Sequence, residues 1–203
     1  MQIRARVQLL AAAKPLKPVG ALMMAHFPTP AVKKARPMKY CALLAFTLAL
    51  AATQGAMAET VRLLGDYRDW SAYASTDASN QVCFAMTKPT SVEPQPNGYT
   101  QAQIYVAHRP AENVTNEFNL VAGFDFAPDS KATVSIGGQS FALFTQKDAA
   151  WLDDASQSAN LAGAIRAGST LVIEGTSAAG IKIKETFSLS GATAASQAIA
   201  GEC

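Results

Sequence analysis

From Trp70 onward the apolar positions recur every second residue or gather in short runs, a pattern that favours strands. It predicts strands at Trp70–Ala74, Gln81–Thr87, Gln103–Arg109, Glu117–Ala122, Ala132–Ile136, Ser140–Thr145, Thr170–Gly175 and Ile181–Leu189. In Ile181-Lys182-Ile183-Lys184 the alternation is strict, so one face is buried and the other meets water. Turn signals separate the runs. Gly137-Gly138 reads as a hairpin turn, Ala178-Ala179-Gly180 turns the next pair, and Pro89 to Gly98 reads as a long loop. Two segments change period. Gln157–Ala167 places Leu161, Ala164 and Ile165 at helical spacing, with Arg166 in the last turn and Gly168 as a cap. Alanine-rich Ala192–Ala200 is a second helix that ends at Gly201, just before Cys203. Many short strands and two short helices, one near the C-terminus, give an all-β class: an antiparallel β-sandwich or a flattened barrel.

The first 58 residues follow another rule. They contain eight Lys and Arg and no acidic residue, whereas the rest holds nine basic and all fifteen acidic residues. The formal net charge of +2 therefore hides a leader at +8 and a remainder at −6. Lys33, Lys34, Arg36 and Lys39 precede an apolar run from Cys41 to Ala52, and Ala56-Met57-Ala58 follows. This is the layout of a secretory signal: a basic region, a short apolar core and small residues that fit the peptidase pocket. Cleavage is expected after Ala58, and Met38 is a natural start among Met1, Met23, Met24 and Met38. The apolar run falls short of the ~20 residues needed to span a bilayer. The expectation is a leader over residues 1–58 and one β-rich domain over 59–203, located in the periplasm or secreted, with no stable membrane span after cleavage.

Cleavage removes Cys41 and leaves Cys83 and Cys203, an even pair that reads as one disulfide in an exported chain. The acidic remainder argues against a nucleic-acid partner. It holds one histidine, His108, too few for a histidine-rich metal centre, and no Gly-x-Ser-x-Gly elbow, Ser-x-x-Lys pair or phosphate-cradling glycine loop. No catalytic, cofactor or metal residue is assigned. Asp153-Asp154 precede a helix and suit capping better than acid–base work. Arg109 is the residue with two readings. It follows a buried strand, precedes Pro110, and either clasps Glu117, which opens the next strand, or faces a ligand.

Several segments taken in order resemble the invasion-associated locus B family of alphaproteobacterial exported proteins. They are Asp69-Trp70-Ser71, Val82-Cys83-Phe84-Ala85, His108-Arg109-Pro110, Asn116-Glu117-Phe118, Gly123-Phe124-Asp125-Phe126, the stretch from Ile136 to Thr145, Ala150-Trp151, Gly175-Thr176-Ser177, Glu185 to Gly191 and the terminal cysteine. The resemblance spans the chain after the leader. It implies a β-rich periplasmic or secreted domain, linked in some pathogens to host-cell invasion, and it implies no catalytic residues. Many relatives carry a cysteine near Ala74, and the resemblance leads one to expect an arginine where Ala179 stands. The expected role is a non-enzymatic domain that binds an envelope component or a protein partner. The alternatives are a small hydrolase built on carboxylates and Arg109, and a secreted host-directed factor.

Overall fold

A computed structural model describes residues 60–76 and 80–203, so the expected leader, Cys41 and the expected cleavage site after Ala58 lie outside the described residues. Eleven antiparallel strands form one sheet: β1 (Thr60–Tyr67), β2 (Trp70–Thr76), β3 (Gln81–Thr87), β4 (Pro89–Glu93), β5 (Gln103–Arg109), β6 (Val114–Val121), β7 (Lys131–Ile136), β8 (Gln139–Gln146), β9 (Ala149–Leu152), β10 (Thr170–Thr176) and β11 (Lys182–Ser188). Their order is β1-β2-β3-β5-β6-β9-β8-β7-β10-β11-β4. The last strand in that order, β4, is separated in sequence from β3 by Lys88 alone. The sheet therefore curls into a half-barrel, and the sandwich alternative falls away.

Residues paired across neighbouring strands share a face, so the register sorts every side chain. Ala85, Val106, Phe118, Leu120, Leu143, Val134, Ile173 and Phe187 point inward and are buried together. Two helices cover the hollow, α1 (Ser158–Ala167) and α2 (Ala192–Glu202). Leu161, Ala164 and Ile165 turn the apolar stripe of α1 inward. On α2, Ala192, Ala195 and Ile199 have no exposed surface, and the alanines let the helix lie close to β1, β2 and β3.

The curl is fixed where the β1–β2 turn crosses the link from β11 to α2. The Trp70 indole Nε1 donates to the Ser188 carbonyl at 3.0 Å, and the Asp69 amide donates to the Ser190 carbonyl at 3.2 Å. Gly191 adopts φ +96°, and a Cβ there would lie 1.7 Å from the Tyr67 carbonyl oxygen. Only glycine fits both demands.

Three strands escape the sequence pattern. β1 is bulged between Leu63 and Gly65, which breaks its alternation. β9 has four residues, all buried, so it shows no period at all. The expected long loop from Pro89 to Gly98 begins as β4, whose Pro89 sits at the first strand position, where a missing amide does no harm. Strand β6 opens at Val114, three residues ahead of Glu117, because Pro110–Glu112 form a single 3-10 turn and Asn113 reverses the chain at φ +54°. Gly137 and Gly138, at φ +55° and +85°, make the expected hairpin turn.

Candidate functional site

Cys83 lies on β3 and Cys203 closes α2; they form a disulfide with Cα atoms 6.0 Å apart. This is ordinary geometry for such a bond. The Cys203 amide also donates to the Ile199 carbonyl at 3.0 Å, which ends the helix against the sheet.

Arg109 ends β5, directly ahead of Pro110. It is buried, because the 3-10 turn that follows folds back beside it. Its Nη2 donates to Glu117 Oε1 at 2.5 Å, and Nε lies 3.5 Å from Glu112 Oε1. Burial pushes the Glu117 carboxyl up, against the opposing pull of the Arg109 charge and hydrogen bond. His108 is not part of this cluster. It is the register partner of Cys83 on the inward face, whereas Glu117 is the partner of Ala107 on the outward face. Desolvation alone holds the His108 imidazole below its usual value. Asp153-Asp154 divide their work: Asp153 pairs with Lys131 at 2.6 Å, and Asp154 Oδ1 accepts the Ser156 amide at 2.9 Å, capping the 3-10 turn ahead of α1.

A cleft of about 490 Å³ opens at one end of the half-barrel, and sequence reasoning did not single it out. Four connections build it. The loop after β6 supplies Gly123, Phe124 and Asp125, the β8–β9 turn supplies Asp148, the β10–β11 turn supplies Ser177, Ala178, Ala179 and Ile181, and the β4–β5 loop supplies Pro96, Asn97, Gly98 and Thr100. Backbone hydrogen bonds lace these segments together. Thr100 donates to Gly123 at 2.8 Å, Ala178 to Asp125 at 2.8 Å, Ala122 to Asp148 at 2.8 Å and Ala127 to Thr176 at 2.9 Å. Phe124 packs on Phe126 with ring centres 4.9 Å apart, and Ile181 is an exposed large apolar side chain. Ser177 is buried; its Oγ accepts the Ile181 amide and so holds the turn. The cleft thus joins two carboxylates to two apolar side chains on a hydrogen-bonded frame. The Gly123-Phe124-Asp125-Phe126 and Gly175-Thr176-Ser177 segments are far apart in sequence and meet here, through the bridge between Phe126 and Ser177. Their glycines and aromatics were the available signal.

Beneath the β4–β5 loop lies Glu185, on the inward face of β11 between Ile183 and Phe187. It is 1% exposed, and neither carboxylate oxygen has a hydrogen-bond partner. Burial pushes its carboxyl up to about 8. Tyr99, from the loop above, is close enough to interact with it. Burial raises the Tyr99 hydroxyl, the Ala102 amide that donates to it at 3.0 Å lowers it, and the Glu185 charge adds to the rise.

A family model described as "Invasion associated locus B (IalB) protein" matches residues 70–200. No curated protein and no solved structure matches.

Proposed function

The chain belongs to the invasion-associated locus B family, and from that premise we propose that it is an exported, non-enzymatic domain, periplasmic or secreted, that holds a protein partner or envelope component in the cleft at the end of its half-barrel. The cleft itself carries this reading. Asp125 and Asp148 beside Phe124 and Ile181 suit a partner that presents a basic group next to an apolar one. The hydrolase alternative needs His108, Arg109 and a carboxylate in one place. His108 faces inward while Arg109 is committed to Glu117 and Glu112, so the geometry favours binding over catalysis.

Capture from periplasmic extract, followed by mass spectrometry, tests the proposal. The wild-type protein should retain a partner with a basic, partly apolar segment, and raising salt to about 0.5 M should weaken capture because exposed charges are screened within a few ångströms. The Asp125→Asn/Asp148→Asn protein should fold normally and lose that partner. Equal capture by both proteins at every salt concentration would place binding elsewhere.

A further inference from the structure

The half-barrel has a seam. Strands β3 and β5 pair up to Thr87 and Ile104, and then the chain running on from β3 turns away from β5 and, as β4, joins β11 at the other end of the sheet order. The loop over residues 94–102 spans the gap this divergence leaves. Within it the Tyr99 amide donates to the Pro96 carbonyl, the Thr100 amide and hydroxyl both donate to the Gly123 carbonyl, and the Ala102 amide donates to the Tyr99 hydroxyl.

Behind this loop sits the acid with the least support in the described structure. Arg109 and Glu185 are the two buried charged side chains among the described residues, and Arg109 has ion-pair partners. Glu185 has none. Its neighbours across the strands are Ile173 on β10 and Val92 on β4, and its neighbours along β11 on the same face are Ile183 and Phe187. Tyr99, from the loop, is the one titratable group facing it from these elements. Glu93, Glu174 and Lys184 belong to the outward face, one register step away. An ionised carboxylate in such surroundings lacks water and donors, and the residue of the seam loop that reaches it is Tyr99.

We infer that the loop over residues 94–102 is a lid closing the seam between β4 and β5, and that ionisation of Glu185 releases it. The closed lid holds Glu185 protonated, and the open lid lets water reach the carboxylate. The inference does not depend on what the cleft binds, although Pro96, Asn97, Gly98 and Thr100 belong to both lid and cleft.

The sign follows from linkage. The closed state keeps a proton that the open state gives up at the ordinary carboxylate value of 4.5, while the closed state gives it up only at about 8. Below 4.5 both states are protonated, and closure has its full stability. Between these values opening becomes about tenfold easier with each pH unit, and above the upper value it levels off.

Hydrogen exchange of the purified protein between pH 4 and 9, corrected for the intrinsic rate, reads this directly. Protection at Tyr99, Thr100 and Ala102 should fall through that window and then plateau, and it should be flat with pH in Glu185→Gln. The core amides Ile104 to Val106 should remain better protected throughout. Lid amides that are flat in the wild type, or that respond equally in Glu185→Gln, would overturn the inference. So would a pH response confined to the best-protected core amides, since Glu185 would then be released only by global unfolding. If Glu185→Gln does not fold, carbon-13 titration of the wild-type Glu185 carboxyl decides instead. A midpoint near 8 that coincides with loss of lid protection supports the lid, and one in the ordinary carboxylate range refutes it.

Discussion

Arg109 and Glu117 show how little a short ion pair says about stability. The bond is direct, yet burial still pushes the Glu117 carboxyl up, so desolvation outweighs the attraction. Removing the two partners should therefore have unequal effects. Arg109→Ala leaves a three-quarters-buried carboxylate without its strongest donor and should cost on the order of 2–3 kcal/mol. Glu117→Gln removes the charge whose burial is costly and should change stability by less than about 1 kcal/mol at pH 7. The difference should shrink in acid, because a carboxyl raised in the folded state is stabilising below its unfolded value and loses that contribution as pH rises through the folded one. Chemical denaturation of both variants at pH 5 and 7 measures this. If Arg109→Ala keeps wild-type stability but loses partner capture, Arg109 is a ligand contact and the clasp reading is wrong.

At the scale of elements, the disulfide makes one helix answerable to one strand. The alanine-rich α2 buries small side chains, and its last turn is tied to β3 across 120 residues of sequence. Closing so long a loop contributes up to about 5 kcal/mol by chain entropy. Cys203→Ser should lower the melting temperature under oxidising conditions and match the wild type under reducing conditions; an equal melting temperature in both would show that α2 docks without the bond. This helix, α1 and eight of the strands were legible in the sequence, because alternation, helical spacing and the Gly137-Gly138 turn are local signals. What was missed failed for physical reasons. The bulge in β1 resets its period, β9 is too short and too buried to have one, and β4 hides behind a proline that a strand tolerates only at its start. The cleft was illegible for a different reason. Its walls come from four connections that only the sheet order brings together, and no local pattern encodes that order. Glu185 was read as part of a resembling segment, but its neighbours Ile173, Val92 and Tyr99 come from other elements, so its isolation could not be foreseen.

For the whole molecule, the fold and the charge pattern bear jointly on the proposed cut after Ala58. A basic leader with no acidic residue precedes a remainder at −6, and the proposed cut after Ala58 falls between them. The first described strand begins at Thr60, whose partner is Thr76, and the family match begins at Trp70. A cut after Ala58 therefore removes the whole leader and keeps β1 entire. A cut several residues later would strip the edge strand and expose the unpaired edge of β2. It would also remove Arg62, which pairs with Glu202 at 2.5 Å and fastens β1 to α2. The disulfide adds a second argument, because such bonds persist in oxidising compartments, and the proposed cut would take away Cys41, a rival thiol. Protein recovered from the periplasm or medium should begin at Glu59 by N-terminal sequencing and contain no free thiol. Uncleaved chain in the cytoplasm with Cys83 and Cys203 reduced would overturn export, and a mature terminus at or beyond Tyr67 would mean that β1 is dispensable to the half-barrel.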